Sequence, residues 1–338
     1  MAIQWFPGHM HTTQKALVKR LPEIDVVIEL LDARLPGSSS NPLLASLAAG
    51  KPALKVLNKQ DLADADDTAL WLTHLNSGPD TRALALDASV AAPARAMLQA
   101  CRALAPLRGG MVKPLRLLIC GIPNVGKSTL VNALHQRRIS KTGDEAGITR
   151  TEQKIQLASD VYLFDTPGML WPRITVEQTG YHLAASGGIG RNAYDDVDVA
   201  LALLANVRQR YGQRLQQRYA LDTAVPVADW SDEALLHAVG KRRGGLLAGG
   251  QVNLQKAAEA AIDDFRSGAW GRITLETPAQ FLAWQAQGQQ AEAARVAHKA
   301  ARSKRPTGAL RGQRRPGSTA ELVEQAEAEV GDPQQPKQ

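Results

Sequence analysis

Three features of the sequence predict a doubly wound α/β domain. Short apolar runs alternate with amphipathic helical patterns over most of the first half of the chain. Several runs, "IDVVIELLD" among them, are mainly apolar without a strict alternation, as strands buried on both faces of a parallel sheet tend to be. One run, "LRLLICG", opens directly into "GIPNVGKST" (Gly121 to Thr129) and then a helical pattern. That strand, glycine loop and helix make the unit that cradles phosphate.

The elements follow in order. Met10 to Leu21 reads as a basic helix ended by Pro22. "IDVVIELLDARLP" is a strand, "NPLLASLAAG" a helix closed by Gly50, and "PALKVL" a second strand. "DDTALWLTHLNSG" is a helix, "RALALDAS" a third strand, and "APARAMLQACRALAPL" a helix. "LRLLICG" is the fourth strand and "KSTLVNALHQ" the helix after it, with "KIQLA" and "VYLFDTPG" completing the sheet. From about Asp195 strand signals fade. "DVALALLANVRQRYGQRLQQRY", "SDEALLHAVGKRRG" and "VNLQKAAEAAIDDFRSG" are helical, with Ser231 a candidate N-cap and Gly240 or Gly244 near the helix end. The expected organisation is a doubly wound domain over 1–180, a small all-α domain over 181–278 and a flexible tail over 279–338. In that tail "RVAHKAARSKRPTGALRGQRR" carries eight Lys or Arg and no acid, and five acids follow it.

The 338 residues carry a net charge of +7, which favours a polyanionic partner, nucleic acid being the commonest. Two cysteines, Cys101 and Cys120, exclude a disulfide framework and a four-cysteine zinc site. The start lacks the apolar core of a signal peptide, and no apolar run approaches the ~20 residues of a membrane span, so a cytoplasmic protein is expected.

Four motifs carry chemistry. In Gly121-x-x-x-x-Gly126-Lys127-Ser128 the backbone around Asn124, Val125 and Gly126 curls about a β-phosphate. Lys127 neutralises phosphate charge, while Ser128 offers a hydroxyl to Mg²⁺ and Thr129 continues the loop into the helix. Asp165-Thr166-Pro167-Gly168 follows a strand: Asp165 would hold Mg²⁺ through water and the Gly168 N–H would sense a γ-phosphate. Between them lies "AGITR", where Thr149 is the candidate switch threonine meeting Mg²⁺, with Thr142 and Thr151 as rivals. The fourth motif, Asn58-Lys59-Gln60-Asp61, ends the second strand. A carboxylate at Asp61 can accept from both guanine N1–H and the exocyclic amine, a pair adenine lacks, while Asn58 and the Lys59 stem support the ring. Asp87-Ala88-Ser89 at the next strand end would add a backbone N–H to guanine O6. These are the parts of a GTPase, but cyclically shifted, with the guanine loop ahead of the phosphate loop.

At this point the chain resembles the circularly permuted ribosome biogenesis GTPase A family. The matching residues are "QWFPGHM" (Gln4 to Met10), Asp32 to Pro42, NKQD, "GIPNVGKSTL", "GIT", "DTPGMLWP" (Asp165 to Pro172) and "FRSGAWGRITLETP" (Phe265 to Pro278), covering about residues 1–278. Ala146 departs from the family's usual proline before GIT. The resemblance implies GTP hydrolysis coupled to a late step of large-subunit assembly, with the subunit precursor and its rRNA as partners, no membrane and no DNA. Met169 stands where Ras-like enzymes place a water-orienting glutamine, so His9 becomes the candidate for that work, against a role in docking the N-terminus. Asn124 resembles a potassium ligand of related GTPases, the alternative being a loop-shaping Asn. Lys241, Arg242, Arg243, Arg266 and Arg272 are candidate rRNA contacts, each set against a solvated helix face. The competing function is an RNA-binding scaffold that uses GTP structurally, without turnover. A small-subunit permuted GTPase is disfavoured by the lack of a Cys/His cluster for zinc.

Asp61→Asn is expected to weaken GTP binding by roughly 1.5–3 kcal/mol, the worth of a charge-assisted pair. It should improve binding of xanthosine triphosphate, whose C2 carbonyl an amide can meet. Competition titrations with both nucleotides check this, and unchanged GTP affinity refutes the guanine-loop assignment.

Overall fold

In the computed structural model the chain enters through α1 (Gly8–Arg20) and then lays down strands and helices in alternation. β1 (Val26–Asp32) is followed by two short helices, α2 (Pro36–Ser39) and α3 (Pro42–Leu47), then β2 (Ala53–Asn58) and α4 (Ala65–Leu75). β3 (Thr81–Ala85), α5 (Pro93–Leu104), β4 (Leu115–Gly121), α6 (Lys127–His135), β5 (Gln153–Ala158) and β6 (Val161–Asp165) come next. The helices α7 (Glu177–Ser186), α8 (Asp196–Tyr219), α9 (Asp232–Arg242), α10 (Leu254–Ser267) and α11 (Pro278–Ser303) follow. The structure describes residues 3–78, 80–88, 93–135, 153–222 and 224–303. The chain forms two compact units, Met1–Ala293 and Ala294–Gln338. Both the α/β part and the helices to α10 belong to the first.

The strands form one sheet in the order β3-β2-β1-β4-β6-β5. Every pairing is parallel except β5 with β6. β1 is buried at all its positions, as its largely apolar run predicts, and it lies between β2 and β4. In register, Asp32 pairs with Asn58 and Leu30 with Gly121, while Ile119 of β4 pairs with Asp165 of β6. Four strands therefore release their C-terminal ends along one edge of the sheet, where ligands of open α/β folds bind. Chain order does not enter that geometry, so the guanine loop, phosphate loop and DTPG element meet despite their shifted sequence.

Helix starts follow side-chain chemistry. Asn41, Asp64, Asp195, Ser231 and Asn253 each accept backbone N–H groups of the first turn, Ser231 as its sequence position predicts. α2, α7 and α11 are absent from the sequence reading. α7 hides polar Thr179, His182 and Ser186 and lays Gly180 on Ile3, so its buried face lacks the apolar period that marks a helix. The region from 279 reads as flexible from its Ala and Gln content, yet α11 continues to Ser303. Ala and Gln are good helix formers, and composition alone understates that. Residues 304–338, with most of the basic run, lie outside the described residues. Among the described residues no helix is long and apolar enough to cross a membrane.

One buried polar cluster joins α2, α7 and the segment after α10. The Glu276 carboxylate accepts from the Ser38 N–H at 2.7 Å and from the Ser38 hydroxyl. His182 Nδ1 lies 3.0 Å from Glu276 and 3.1 Å from the Ser38 hydroxyl. Glu276 is fully buried, so each lost partner leaves a desolvated group unpaired. Glu276→Gln, which puts an amide donor against the Ser38 donors, should lower unfolding free energy by about 1–3 kcal/mol. Urea denaturation measures it, and a loss within about 0.5 kcal/mol, typical of surface changes, contradicts the cluster's structural role.

Candidate nucleotide site

Asn58 ends β2 and ties three loops with one amide. Its Nδ2 donates to the Val125 carbonyl of the phosphate loop at 2.8 Å, and its Oδ1 accepts from the Ala88 N–H at 2.9 Å. Gly126 is needed opposite it: at φ +99° a Cβ there would stand 2.3 Å from Asn58 Nδ2. Lys59 takes a left-handed conformation, φ +61°, and its ammonium donates to the Asn124 carbonyl at 3.1 Å and to Asp32 Oδ2 at 2.9 Å. The Lys59 stem is thereby laid along the phosphate loop. Asp61 is exposed at the loop end, open to a base edge.

On the phosphate side Lys127 donates to the Gly121 carbonyl at 3.1 Å and the Ile122 carbonyl at 2.8 Å. Burial pushes its ammonium down to about 8, with the Asp165 carboxylate pulling the other way. Asp165 is buried, and among the described residues both its oxygens lack a hydrogen-bond partner. Burial pushes its carboxyl up to about 6 against the pull of the Lys127 charge. Two orphaned, desolvated carboxylate oxygens fit the donor set of a hydrated Mg²⁺, which takes hard oxygen ligands and keeps its waters. Ser128 and Thr129 lie in the first turn of α6. The DTPG element rests on the phosphate loop. A Cβ on Gly168 would come within 2.8 Å of Pro123 Cα, and the Met169 N–H donates to the Gly121 carbonyl at 3.1 Å.

Asn58, Lys59, Asp61, Ala88, Asn124, Val125, Gly126, Lys127, Ser128, Thr129, Asp165 and Gly168 all lie at this edge, on strand ends, on the loops after them or in the first turn of α6. Ser89, Thr149 and its rivals Thr142 and Thr151 lie outside the described residues. Asn124 takes φ +56° and its Nδ2 donates to the Gly187 carbonyl at the end of α7, at 2.9 Å. His9 is exposed on the first turn of α1. Its neighbour Met10 is buried, with Sδ 3.5 Å from the Leu170 nitrogen, and Gln4 makes a two-way bond to the Ile174 backbone at 2.7 and 3.0 Å. The N-terminal segment is thus fastened to the chain that leaves Gly168.

The five candidate RNA-facing cations divide. Lys241 and Arg242 are exposed at the end of α9. Arg243 pairs with Asp264 at 3.2 Å. Arg266 donates to the Ala184 and Ala185 carbonyls at 2.8 Å, and Arg272 to those of Ala63 at 2.8 Å and Gln60 at 3.2 Å. Arg266 is half-buried and Arg272 exposed, so both fasten neighbouring segments while Arg272 keeps a solvated face. Sequence reasoning assigned no role to Asp32, Arg34 or Asn41, whose Nδ2 holds the Met169 carbonyl at 3.0 Å. Their signal was the polar run at the end of an apolar strand, "DARLPGSSSN".

Comparisons with known proteins agree with this geometry. A family model described as 50S ribosome-binding GTPase matches residues 116–226, from β4 into the helices. The chain is 38% identical to the ribosome biogenesis GTPase A of Bacillus cereus, over 83% of this chain and 96% of that one. It is 32% identical to the mouse mitochondrial ribosome-associated GTPase 1, over 81% and 90%. The fold is that of the GNP-bound YlqF from T. maritima, with a TM-score of 0.55, 24% identity and coverage of 79% and 98%.

A carboxyl held near 6 by burial must shed its proton before it can engage a metal. Mg²⁺-dependent nucleotide affinity should be flat above that pH and fall by up to about tenfold per pH unit below it. Asp165→Asn should weaken Mg²⁺ dependence and remove this component of the profile, while the nucleotide's own titration remains in both proteins. Mg²⁺ titrations with a fluorescent guanine nucleotide across pH 5–8 check it. Identical profiles for the two proteins contradict the assignment.

Proposed function

Because the chain belongs to the ribosome biogenesis GTPase A family, we propose that it binds the precursor of the large ribosomal subunit in its GTP state and leaves after hydrolysis. The chain is a GTPase assembly factor that converts GTP to GDP and phosphate. The observation that supports the switch reading is the path out of Gly168. It runs from the phosphate loop through a segment clamped by Gln4 and Met10 into α7, whose far end is held by Asn124 and Arg266.

In this reading Asp61 selects guanine, with Asn58 and Lys59 holding the loop and the Ala88 and Ser89 backbone beside it. Lys127 and the N–H groups of Asn124 to Thr129 take the β- and γ-phosphates. Lys127 must leave its two carbonyl partners to do so, and phosphate charge restores its proton affinity. Ser128, Asp165 through water, and Thr149 would hold Mg²⁺, which would neutralise charge on the β- and γ-phosphates. The Gly168 N–H meets the γ-phosphate. His9 orients water, because Met169 cannot. A potassium ion held through the Asn124 side-chain oxygen would supply charge in place of an arginine. Residues 1–180 then read the nucleotide and 181–278 face rRNA, chiefly through exposed cations such as Lys241 and Arg242, in a cytoplasmic protein.

His9→Ala should lower kcat by about 10²-fold or more with GTP affinity kept, the usual worth of a water-orienting group. Normal turnover per folded molecule returns His9 to a docking role. Replacing potassium by sodium should slow the wild type but not Asn124→Ala, and equal rates in both salts remove the ion. By linkage, GTP and the subunit must raise each other's affinity by the same factor. Equilibrium sedimentation with purified large subunits should show tight association with a non-hydrolysable GTP analogue, weak association with GDP, and a steep fall with salt. Equal co-sedimentation in both nucleotides at matched salt favours the scaffold instead.

A further inference from the structure

At the end of β1, between the guanine loop and the phosphate loop, lies a group of three charges, two buried and the third, Lys59, half-buried. Asp32 and Arg34 are each 1% exposed. The Arg34 guanidinium grips the Asp32 carboxylate with two bonds, Nε to Oδ1 at 3.0 Å and Nη2 to Oδ2 at 2.8 Å. The Arg34 backbone N–H adds a third, to Oδ1 at 3.0 Å. The same Oδ2 accepts from the Lys59 ammonium at 2.9 Å. The remaining guanidinium nitrogen donates to the Phe265 carbonyl at 3.0 Å, at the C-terminal end of α10. The guanidinium also lies over the Phe265 ring, 4.4 Å from its centroid. Leu275 donates its N–H to the Arg34 carbonyl at 2.7 Å, closing the join to the segment after α10.

We propose that Asp32 and Arg34 are positioning residues for guanine recognition, fastening Lys59 to the carbonyl end of α10. This rests on the reading of Asn58 to Asp61 as the guanine loop. The physical argument concerns what holds Lys59. Its left-handed backbone is one an L-residue keeps only under constraint, and its ammonium has two anchors, the Asn124 carbonyl and Asp32. Burial alone would push the Asp32 carboxyl up, but Arg34 and then Lys59 hold it well below the usual carboxylate range, so the anchor stays charged. A carboxylate clasped by a planar fork cannot turn, and its second oxygen points where Lys59 needs it. Arg34 spends its last donor on α10. The seat of a helix in the second half of the chain thereby sets the position of the side chain that supports the base.

A buried ion pair also stabilises a fold, and that role alone predicts a different result. The test is the equilibrium Kd for a fluorescent GDP, measured for wild type, Arg34→Met, Lys59→Met and the double variant, with thermal unfolding in parallel. Partial unfolding lowers the number of binding sites but leaves the Kd of folded molecules unchanged. Each single variant should raise Kd by on the order of tenfold, and the double variant should be little worse than Lys59→Met, because Arg34 acts through Lys59. Phe265→Leu, which removes only the ring beneath the guanidinium, should raise Kd by a smaller factor. If Arg34→Met does not fold, Arg34→Lys enters the same cycle, keeping a charge but losing the fork. A lowered Tm with wild-type Kd, or effects of Arg34 and Lys59 that multiply in the double variant, overturns the proposal and leaves a structural ion pair. Wild-type Kd in Lys59→Met overturns the guanine-loop reading, and the proposal with it.

Discussion

The parallel pairing of β1 with β2 on one side and β4 on the other is the constraint from which the site follows. It sets Asp32 beside Asn58 and Leu30 beside Gly121. Once those registers are fixed, the guanine loop and the phosphate loop are neighbours, and the Asn58 amide can span them. A one-residue slip would turn every side chain of a strand to the other face, which a strand buried at all positions resists on both sides. Because the sheet specifies neighbours and not sequence order, a permuted chain assembles the same site.

The permutation has a second consequence, in what surrounds the loops. The chain leaving Gly168 passes directly into α7, and the C-terminal end of α10 packs back upon both. Arg266 ties α10 to α7, Arg272 ties the following segment to the guanine loop, and Glu276 joins that segment to α2 and α7. Each charged group is matched where it is desolvated, Arg266 and Arg272 by carbonyls and Glu276 by the Ser38 donors and His182. In the proposed switch, a nucleotide-dependent change at Gly168 would meet this bonded frame, and the helices would answer it as a body.

Much of this was legible in the residues. The apolar runs gave the strands, the three motifs within the described residues gave the loops, and Ser231 gave a helix start, because each is local chemistry. What was not legible is tertiary. α7 is buried through glycine, alanine and hydrogen-bonded polar groups, so it carries no apolar period. The fastening bonds of Arg266 and Arg272 were not legible either, because charge in a sequence does not say whether carbonyls wait for it 2.8 Å away. Asp32 and Arg34 stood in a recognised motif, yet their work appears only when Lys59 and Phe265, distant in sequence, come to the same place.

Amide hydrogen exchange, compared between GDP and a non-hydrolysable GTP analogue, tests most directly whether the nucleotide loops and helices respond together. If they do, exchange must change at the phosphate loop and Asp165 to Leu170, and also at Ala184 to Gly188 and Phe265 to Glu276, which carry the bonds between the two parts. A change confined to the phosphate loop and Asp165 to Leu170, with the α7 end and Phe265 to Glu276 exchanging alike in both nucleotides, would contradict it.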